Sequence, residues 1–224
     1  MLVYRILFAV ALFLGSPFLL VKAILGKHGI RERFGYIKKR ESSRRLFWFH
    51  AASIGELKII ASVLPEISKI SDNIDFAIST TTASGKKRAK EIFEDKTYIF
   101  LQPFELTSAI RRVLSALNPE KLIIVETEIW PLLITVACDS GAELYLINAR
   151  MRESSFRAYR IIKPFIGHIL AKFAHILSRS DADTGRFLAL GAGNAETVGN
   201  LKYDQVLSNA ESTRATLNII SNDR

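Results

Sequence analysis

From residue 46 onward, short apolar runs alternate with longer stretches of helical periodicity, and few architectures accommodate that rhythm. Leu46–His50 reads as a buried strand. Glu56–Ser71 follows with Leu57, Ile60, Val63, Leu64 and Ile67 on one helical face. Strand readings recur at Asp75–Ser79, Thr97–Leu101, Lys121–Glu126, Glu143–Ile147, His175–Ser178 and Glu196–Val198. Helical ones recur at Gly85–Glu94, Glu105–Leu117, Pro131–Ser140, Ser155–Phe173 (with Pro164 as a possible break) and Asp181–Leu190. Strands separated by helices of this length cannot pair as hairpins. They form a parallel sheet covered by helices on both faces, an α/β fold. Such sheets bind ligands beyond the carboxyl ends of their strands, so function is expected in the loops that follow strands. From residue 205 the pattern fades, and 206–224 reads as a linker or frayed tail.

The N-terminus is of another kind. Ile6–Val21 is a run of 16 residues without a charge, bounded by Arg5 and Lys22. With its apolar neighbours it approaches the roughly 20 residues a bilayer span needs. Ser16-Pro17 would kink such a helix. A cleavable leader fits poorly, because Val21-Lys22-Ala23 is not a small-residue cleavage site. A core helix fits poorly, because a polar face is missing. Residues 1–25 are therefore read as a membrane anchor, spanning or embedded in one leaflet. Residues 26–45 are read as a basic juxtamembrane segment. That segment carries eight Lys/Arg against two Glu, and so most of the net charge of +9, while the remainder is close to neutral overall. The positive flank puts the globular part, residues 46–205, on the cytoplasmic face, with the cations against an anionic membrane surface. Only Phe34 and Tyr36 interleave with the cations, so no nucleic acid partner is expected.

The strand-end loops carry the chemistry. After the first strand come His50-Ala51-Ala52-Ser53-Ile54-Gly55-Glu56. Gly55 and the small residues admit a ligand close to the backbone, and a helix start there favours an anion. Glu56 has two open roles: a first-turn carboxylate complementing the helix dipole, or a general base aimed into the cleft. The fourth strand ends in Glu126-Thr127-Glu128-Ile129-Trp130-Pro131. A carboxylate closing a buried strand is costly unless bonded. If the strand continues, Glu126 and Glu128 face opposite sides. The plain alternative is a capping acid beside a packed Trp. Arg150 and Arg152 can grip phosphate or carboxylate, or simply be solvated beside a helix cap. Thr80–Gly85 is hydroxyl-rich and can hold a phosphate or sugar or cap a helix. Gly199–Asp204 is a tight turn with one cation, Lys202. His50 closes its strand, where a packing role is the default. No phosphate-binding glycine loop, HExxH or GxSxG occurs, and the four His lack metal-ligand spacing. The single cysteine excludes an internal disulfide framework.

Taken together, HAASIGE (50–56), STTTASG (79–85), VETEIWP (125–131), NARM (148–151) and GNLKYD (199–204), with RERFG (31–35) upstream, resemble the N-terminal half of bacterial Kdo transferases. That family moves 3-deoxy-D-manno-oct-2-ulosonic acid (Kdo) from CMP-Kdo to a lipid A precursor, lipid IVA, in lipopolysaccharide core synthesis at the inner membrane. The resemblance implies a GT-B glycosyltransferase: a Rossmann-like acceptor domain here and a donor domain beyond GNLKYD, so no complete donor site is expected in these residues. It implies that Glu56 is the general base of an inverting transfer and that Glu126 belongs to the active-site set. It places Ser53, Gly55, Arg31, Arg33, Thr82, Arg150 and Lys202 around the acceptor. No metal or other cofactor is implied, since CMP leaves as a monophosphate. Two local departures stand out: Pro103-Phe104-Glu105 for Pro-x-Asp, and Ser178-Arg179-Ser180 for Gln-Ser-Glu. A non-catalytic, membrane-bound glycolipid-binding module is the alternative reading, and a transferase for another nucleotide sugar a third.

Overall fold

The computed structural model describes residues 29–93, 97–202 and 211–221. The segment read as a membrane anchor lies outside them. Seven strands form one parallel sheet: β1 (Arg45–Ala51), β2 (Ile74–Thr80), β3 (Thr97–Leu101), β4 (Lys121–Val125), β5 (Glu143–Ala149), β6 (His175–Ser178) and β7 (Ala195–Thr197), in the order β3-β2-β1-β4-β5-β6-β7. The chain builds outward from β1 to β3, then crosses back to lay β4 against the other side of β1. The order therefore reverses between β1 and β4, which opens a crevice at their carboxyl ends. Register sets the two loops side by side there, with His50 opposite Ile124.

Both faces of the sheet are buried, which is why the strands read as unbroken apolar runs rather than alternating ones. Trp48, Leu122, Ile124, Leu144 and Leu146 face one core layer. Phe47, Phe49, Ile123, Val125 and Ile147 face the other. The helices are α1 (Ile30–Arg33), α2 (Ile54–Ile70), α3 (Ala83–Ile92), α4 (Thr107–Leu117), α5 (Pro131–Asp139), α6 (Glu153–Ile161), α7 (Lys163–Leu170), α8 (Asp181–Leu190) and α9 (Glu211–Ser221). All five residues of the apolar face read on α2 are buried. No helix among the described residues is long and apolar enough to cross a membrane.

Three expectations are corrected. The single helix read over Ser155–Phe173 is two, α6 and α7, separated at Ile162, with Pro164 in the first turn of the second. Proline is tolerated there because a first-turn N–H has no helical partner anyway. The tail read as a linker contains α9, whose Thr213, Thr216, Leu217 and Ile220 are buried. Their spacing of three, one and three places them on one helical face. Lys121 Nζ donates to the Ile220 carbonyl at 2.6 Å, a cation on the carbonyls at the helix end. Finally, the basic segment is largely committed to the fold. Arg40, with only 8% of its side chain exposed, pairs with Asp75 at 3.1 Å, and Arg44 pairs with the same carboxylate. Arg45 makes a two-pronged pair with Glu120. Arg31, Lys38 and Lys39 are exposed, as is Arg44 despite its pairing with Asp75.

Candidate active site

Glu56 sits at the start of α2, and its position follows from local sequence. Ser53 is the N-cap, its Oγ accepting the Glu56 N–H at 3.2 Å. The Glu56 side chain turns back, accepting from the Ala52 N–H (2.6 Å) on one oxygen and from the Ser53 hydroxyl (2.7 Å) on the other. This is a capping box shifted one residue at its acidic end. The first-turn role read for Glu56 is therefore present. It does not exhaust the group, since each carboxylate oxygen keeps a further lone pair. The residue is only 5% exposed. Burial pushes its carboxyl up from the ordinary range, against the two hydrogen bonds, and the Glu126 and Glu128 carboxylates push it further.

Glu126 does not continue the strand. β4 ends at Val125, and Glu126 takes a left-handed backbone, φ 62°, uncommon for a residue with this side chain. Its N–H still donates to the Ile147 carbonyl, and its carboxylate pairs with Lys202 Nζ at 2.5 Å. The expectation that Glu126 and Glu128 alternate across a continuing strand fails here, because the chain turns at Glu126. A Cβ on Gly55 would lie 3.7 Å from Lys202 Nζ, so Gly55, Lys202 and Glu126 share one corner. Glu128 accepts from Trp130 Nε1 at 2.9 Å. Burial, then the Glu126 charge, raises its carboxyl too. One wall of the crevice is thus three carboxylates with one cation among them, and two of the three, Glu56 and Glu128, are raised by burial and neighbouring charge.

Other contacts lock this wall. Glu105, from the loop after β3, accepts the Leu132 and Leu133 N–H groups at 2.8 and 2.9 Å, capping α5 from outside the helix and fixing the Trp130 turn. Thr127 Oγ1 donates to the Arg150 carbonyl (2.6 Å), and the buried Asn148 accepts the Leu201 N–H (3.1 Å), tying the loops after β4, β5 and β7 together. Behind them His50 is fully buried, its Nδ1 2.8 Å from Ser79 Oγ, which also accepts from Trp48 Nε1. Burial drives its pKa down to about 3, so the ring is neutral. Its edge meets the Trp130 ring at 6.4 Å.

The remaining expected residues divide. Arg33 donates to the Thr81 carbonyl at 2.5 Å and lies over the Phe104 ring, beside the loop after β2. Thr81 Oγ1 donates in turn to the Ala52 carbonyl, which brings that loop against the first. Thr82 caps α3 through the Gly85 N–H, the plainer of its two roles. Arg150 borders the Glu126 loop through its backbone. Arg31 is exposed and donates no hydrogen bond among the described residues. Four residues that shape the site, Glu128, Thr127, Asn148 and Glu105, are not among those the sequence points to as site residues. The second acid of ETE is a signal for Glu128 and the first residue of NARM one for Asn148, whose left-handed backbone (φ 50°) is nonetheless not legible in the sequence. No cluster of three or more His, Cys, Asp or Glu suited to a metal ion occurs among the described residues.

Residues 28–205 match the model of the 3-deoxy-D-manno-octulosonic-acid transferase (kdotransferase) family. The chain belongs to that family. It is 31% identical over 186 residues to the 3-deoxy-D-manno-octulosonic acid transferase of Rickettsia bellii, covering 82% of this chain and 44% of that protein. It is 34% identical over 176 residues to that of Rickettsia prowazekii, covering 77% and 38%. The chain thus spans less than half the length of these kdotransferases. Among solved structures it resembles the UDP-GlcNAc 2-epimerase of Neisseria meningitidis bound to UDP-GlcNAc, with TM-score 0.50, 12% identity, and coverage of 79% of this chain and 53% of that one. At that identity the likeness concerns the fold alone. All three carboxylates and Lys202 lie inside the segment matching the kdotransferase model.

Proposed function

We propose that this chain supplies the acceptor site and the general base of a glycosyltransferase of lipopolysaccharide core synthesis, one that moves Kdo from CMP-Kdo onto a lipid A precursor with inversion. The observation that carries this reading is Glu56: a buried carboxylate at the switch point of a parallel sheet, raised by burial and by two neighbouring acids. A raised carboxylate is a stronger base once ionised. Its Ala52 and Ser53 bonds hold it in one orientation, with a lone pair left for an incoming sugar hydroxyl. In this reading the hydroxyl gives its proton to Glu56 as its oxygen attacks the anomeric carbon, and CMP departs with the bonding electrons. Lys202, paired with Glu126, limits the negative charge of the wall so that an anionic sugar is not repelled. CMP-Kdo is bound chiefly by a second domain. Residues 1–25 hold the protein at the cytoplasmic face of the inner membrane, where the lipid acceptor is found.

The test follows radiolabelled Kdo from CMP-Kdo to lipid IVA, with the chain alone and with the chain mixed with the C-terminal half of a relative. Transfer only in the mixture, lost by roughly 10²–10⁴-fold in Glu56→Gln, is the expected result. Silence in the mixture with lipid still bound would favour a glycolipid-binding module. Transfer that survives Glu56→Gln would remove the base from Glu56.

A further inference from the structure

Outside the basic segment near the N-terminus the chain is close to neutral, but that average conceals a second basic stretch. Residues 144–180 hold seven Lys/Arg, at Arg150, Arg152, Arg157, Arg160, Lys163, Lys172 and Arg179, and one acid, Glu153. Glu153 is already engaged, 3.1 Å from Arg186. The fold takes up some of these cations, with Lys172 paired to Asp139 at 3.3 Å and Arg179 half-buried, but not those around α6. α6 has no buried residue, and Arg152, Arg157, Arg160 and Lys163 are exposed. At the elbow between α6 and α7 stands the most exposed large apolar side chain among the described residues, Ile161, 84% exposed, beside Ile162 at 46%. Paired isoleucines at a helix break would be expected in a core. Here they project among cations, with Phe156 and Tyr159 packed inward to hold the helix in place.

The elbow is also close to the acid wall. α6 begins two residues after Met151, whose backbone is clamped by Asp183 (2.8 Å) and Arg186 (2.8 Å). The Tyr159 hydroxyl is pushed up by burial and then by the Glu128 carboxylate. Ile161 is two residues further on.

We propose that the α6–α7 elbow is a membrane-docking surface for anionic lipid, in which Ile161 and Ile162 enter the headgroup–acyl boundary while Arg157, Arg160 and Lys163 meet lipid phosphates. Charge complementarity selects the occupant: exposed cations with no free carboxylate among them fit a negative surface, and an apolar tip ringed by cations fits an interface rather than a dry protein groove. The surface is formed by residues 157–163, far in sequence from the apolar run at residues 6–21. Docked this way, the protein would hold its acid wall at the membrane surface. That consequence for a lipid acceptor rests on the function proposed above; the docking itself does not.

The experiment uses the full chain with no donor or acceptor sugar, so its outcome is independent of transfer. Cys138 is first replaced by alanine. A polarity-sensitive fluorophore is then attached after Ile161→Cys or, as a control at the far end of α2, after Ile70→Cys. Vesicles of equal parts phosphatidylglycerol and phosphatidylcholine should shift the emission at position 161 to the blue, with quenching by spin-labelled acyl chains, and leave position 70 unchanged. Adding Arg157→Glu, Arg160→Glu and Lys163→Glu should abolish the shift while far-UV circular dichroism stays the same. A label at 161 that remains water-like on vesicle-bound protein overturns the proposal, as does an equal shift at both positions. A shift that grows with protein concentration in the absence of vesicles assigns the surface to a second copy of the chain and overturns it as well.

Discussion

The loops after β1 and β4 each deliver a carboxylate to the same crevice, by opposite means. Glu56 stands in ordinary helical backbone, held by partners three and four residues away. Glu126 stands in left-handed backbone, held by Lys202, which is 76 positions distant in sequence. The first loop is a local motif that would form wherever a helix began with Ser-x-x-Glu. The second is imposed: the turn and the ion pair exist only because β5 and the loop after β7 are already in place. The orientation of the Glu56 carboxylate is set by short-range bonds, and its electrostatic surroundings by long-range ones.

The largest expected effect tests the first loop. On the function proposed above, Glu56→Gln in the chain mixed with the C-terminal half of a relative should cut transfer by roughly 10²–10⁴-fold without loss of stability. The sign follows from its raised pKa. The native state holds the proton more tightly than the unfolded one, so ionising Glu56 costs stability as pH rises through and above the ordinary Glu range. Gln removes that cost and can still accept from Ala52 N–H. Thermal melts at neutral and acidic pH would show a gain at neutral pH that vanishes at the acidic one; a large loss at both would mean that the motif, and not only the base, depends on the charge.

His50, which lies between the loops, comes next. Buried and neutral with a pKa of about 3 against 6.5 for the free side chain, it is protonated on unfolding but not in the native state at intermediate pH. Its contribution is complete above about 6.5 and is lost as pH falls toward 3, by up to about 1.4 kcal/mol per pH unit. Denaturation curves across that range should flatten in His50→Asn, which keeps an acceptor for Ser79. An unchanged slope would show that His50 does not titrate on unfolding.

The second loop is probed by Lys202→Met. The pair is partly exposed, with 42% of the lysine side chain open to water, so the loss should be only about 1 kcal/mol at neutral pH. In a Glu126→Gly background the same change should be nearly silent, and a double-mutant cycle would measure the coupling. Ser53→Ala should cost about 1 kcal/mol through the lost cap, and it should raise Glu56 further by removing a donor, visible by NMR titration of the carboxyl. The smallest effect is the most pointed. Glu126→Gly, by relieving the left-handed strain, should leave stability unchanged or improve it by no more than about 1 kcal/mol. Asn148→Gly should destabilise, because Asn148 also accepts the Leu201 N–H.

Much of the fold was legible because its signals are local. Buried parallel strands announce themselves as apolar runs, and α2 shows its buried face at helical spacing. SIGE carries its own capping instructions. Where the reading failed, a tertiary contact had changed the meaning of a residue. Arg40, Arg44 and Arg45 read as membrane-facing cations until Asp75 and Glu120 were brought to them across the sheet. The tail read as a linker because its large apolar residues, Leu217, Ile219 and Ile220, crowd into its last five positions and leave no helical period along its length. Packing on α2, with Lys121 on its last carbonyls, makes it a helix. The basic character of residues 144–180 was in the sequence all along, but only the exposure of Ile161 gives it meaning.

The sequence by itself determined the alternation of strand and helix, the sheet class, the crevice-side loops and the orientation of Glu56, since each depends on neighbours within a few positions. Only the tertiary structure decided which strand lies next to β1, and hence that Glu126 meets Lys202 beside Glu56. It also decided which cations are spent inside the fold and which face outward. Charge and burial are properties of what surrounds a residue, and in a sheet whose order departs from its sequence, those surroundings come from far along the chain.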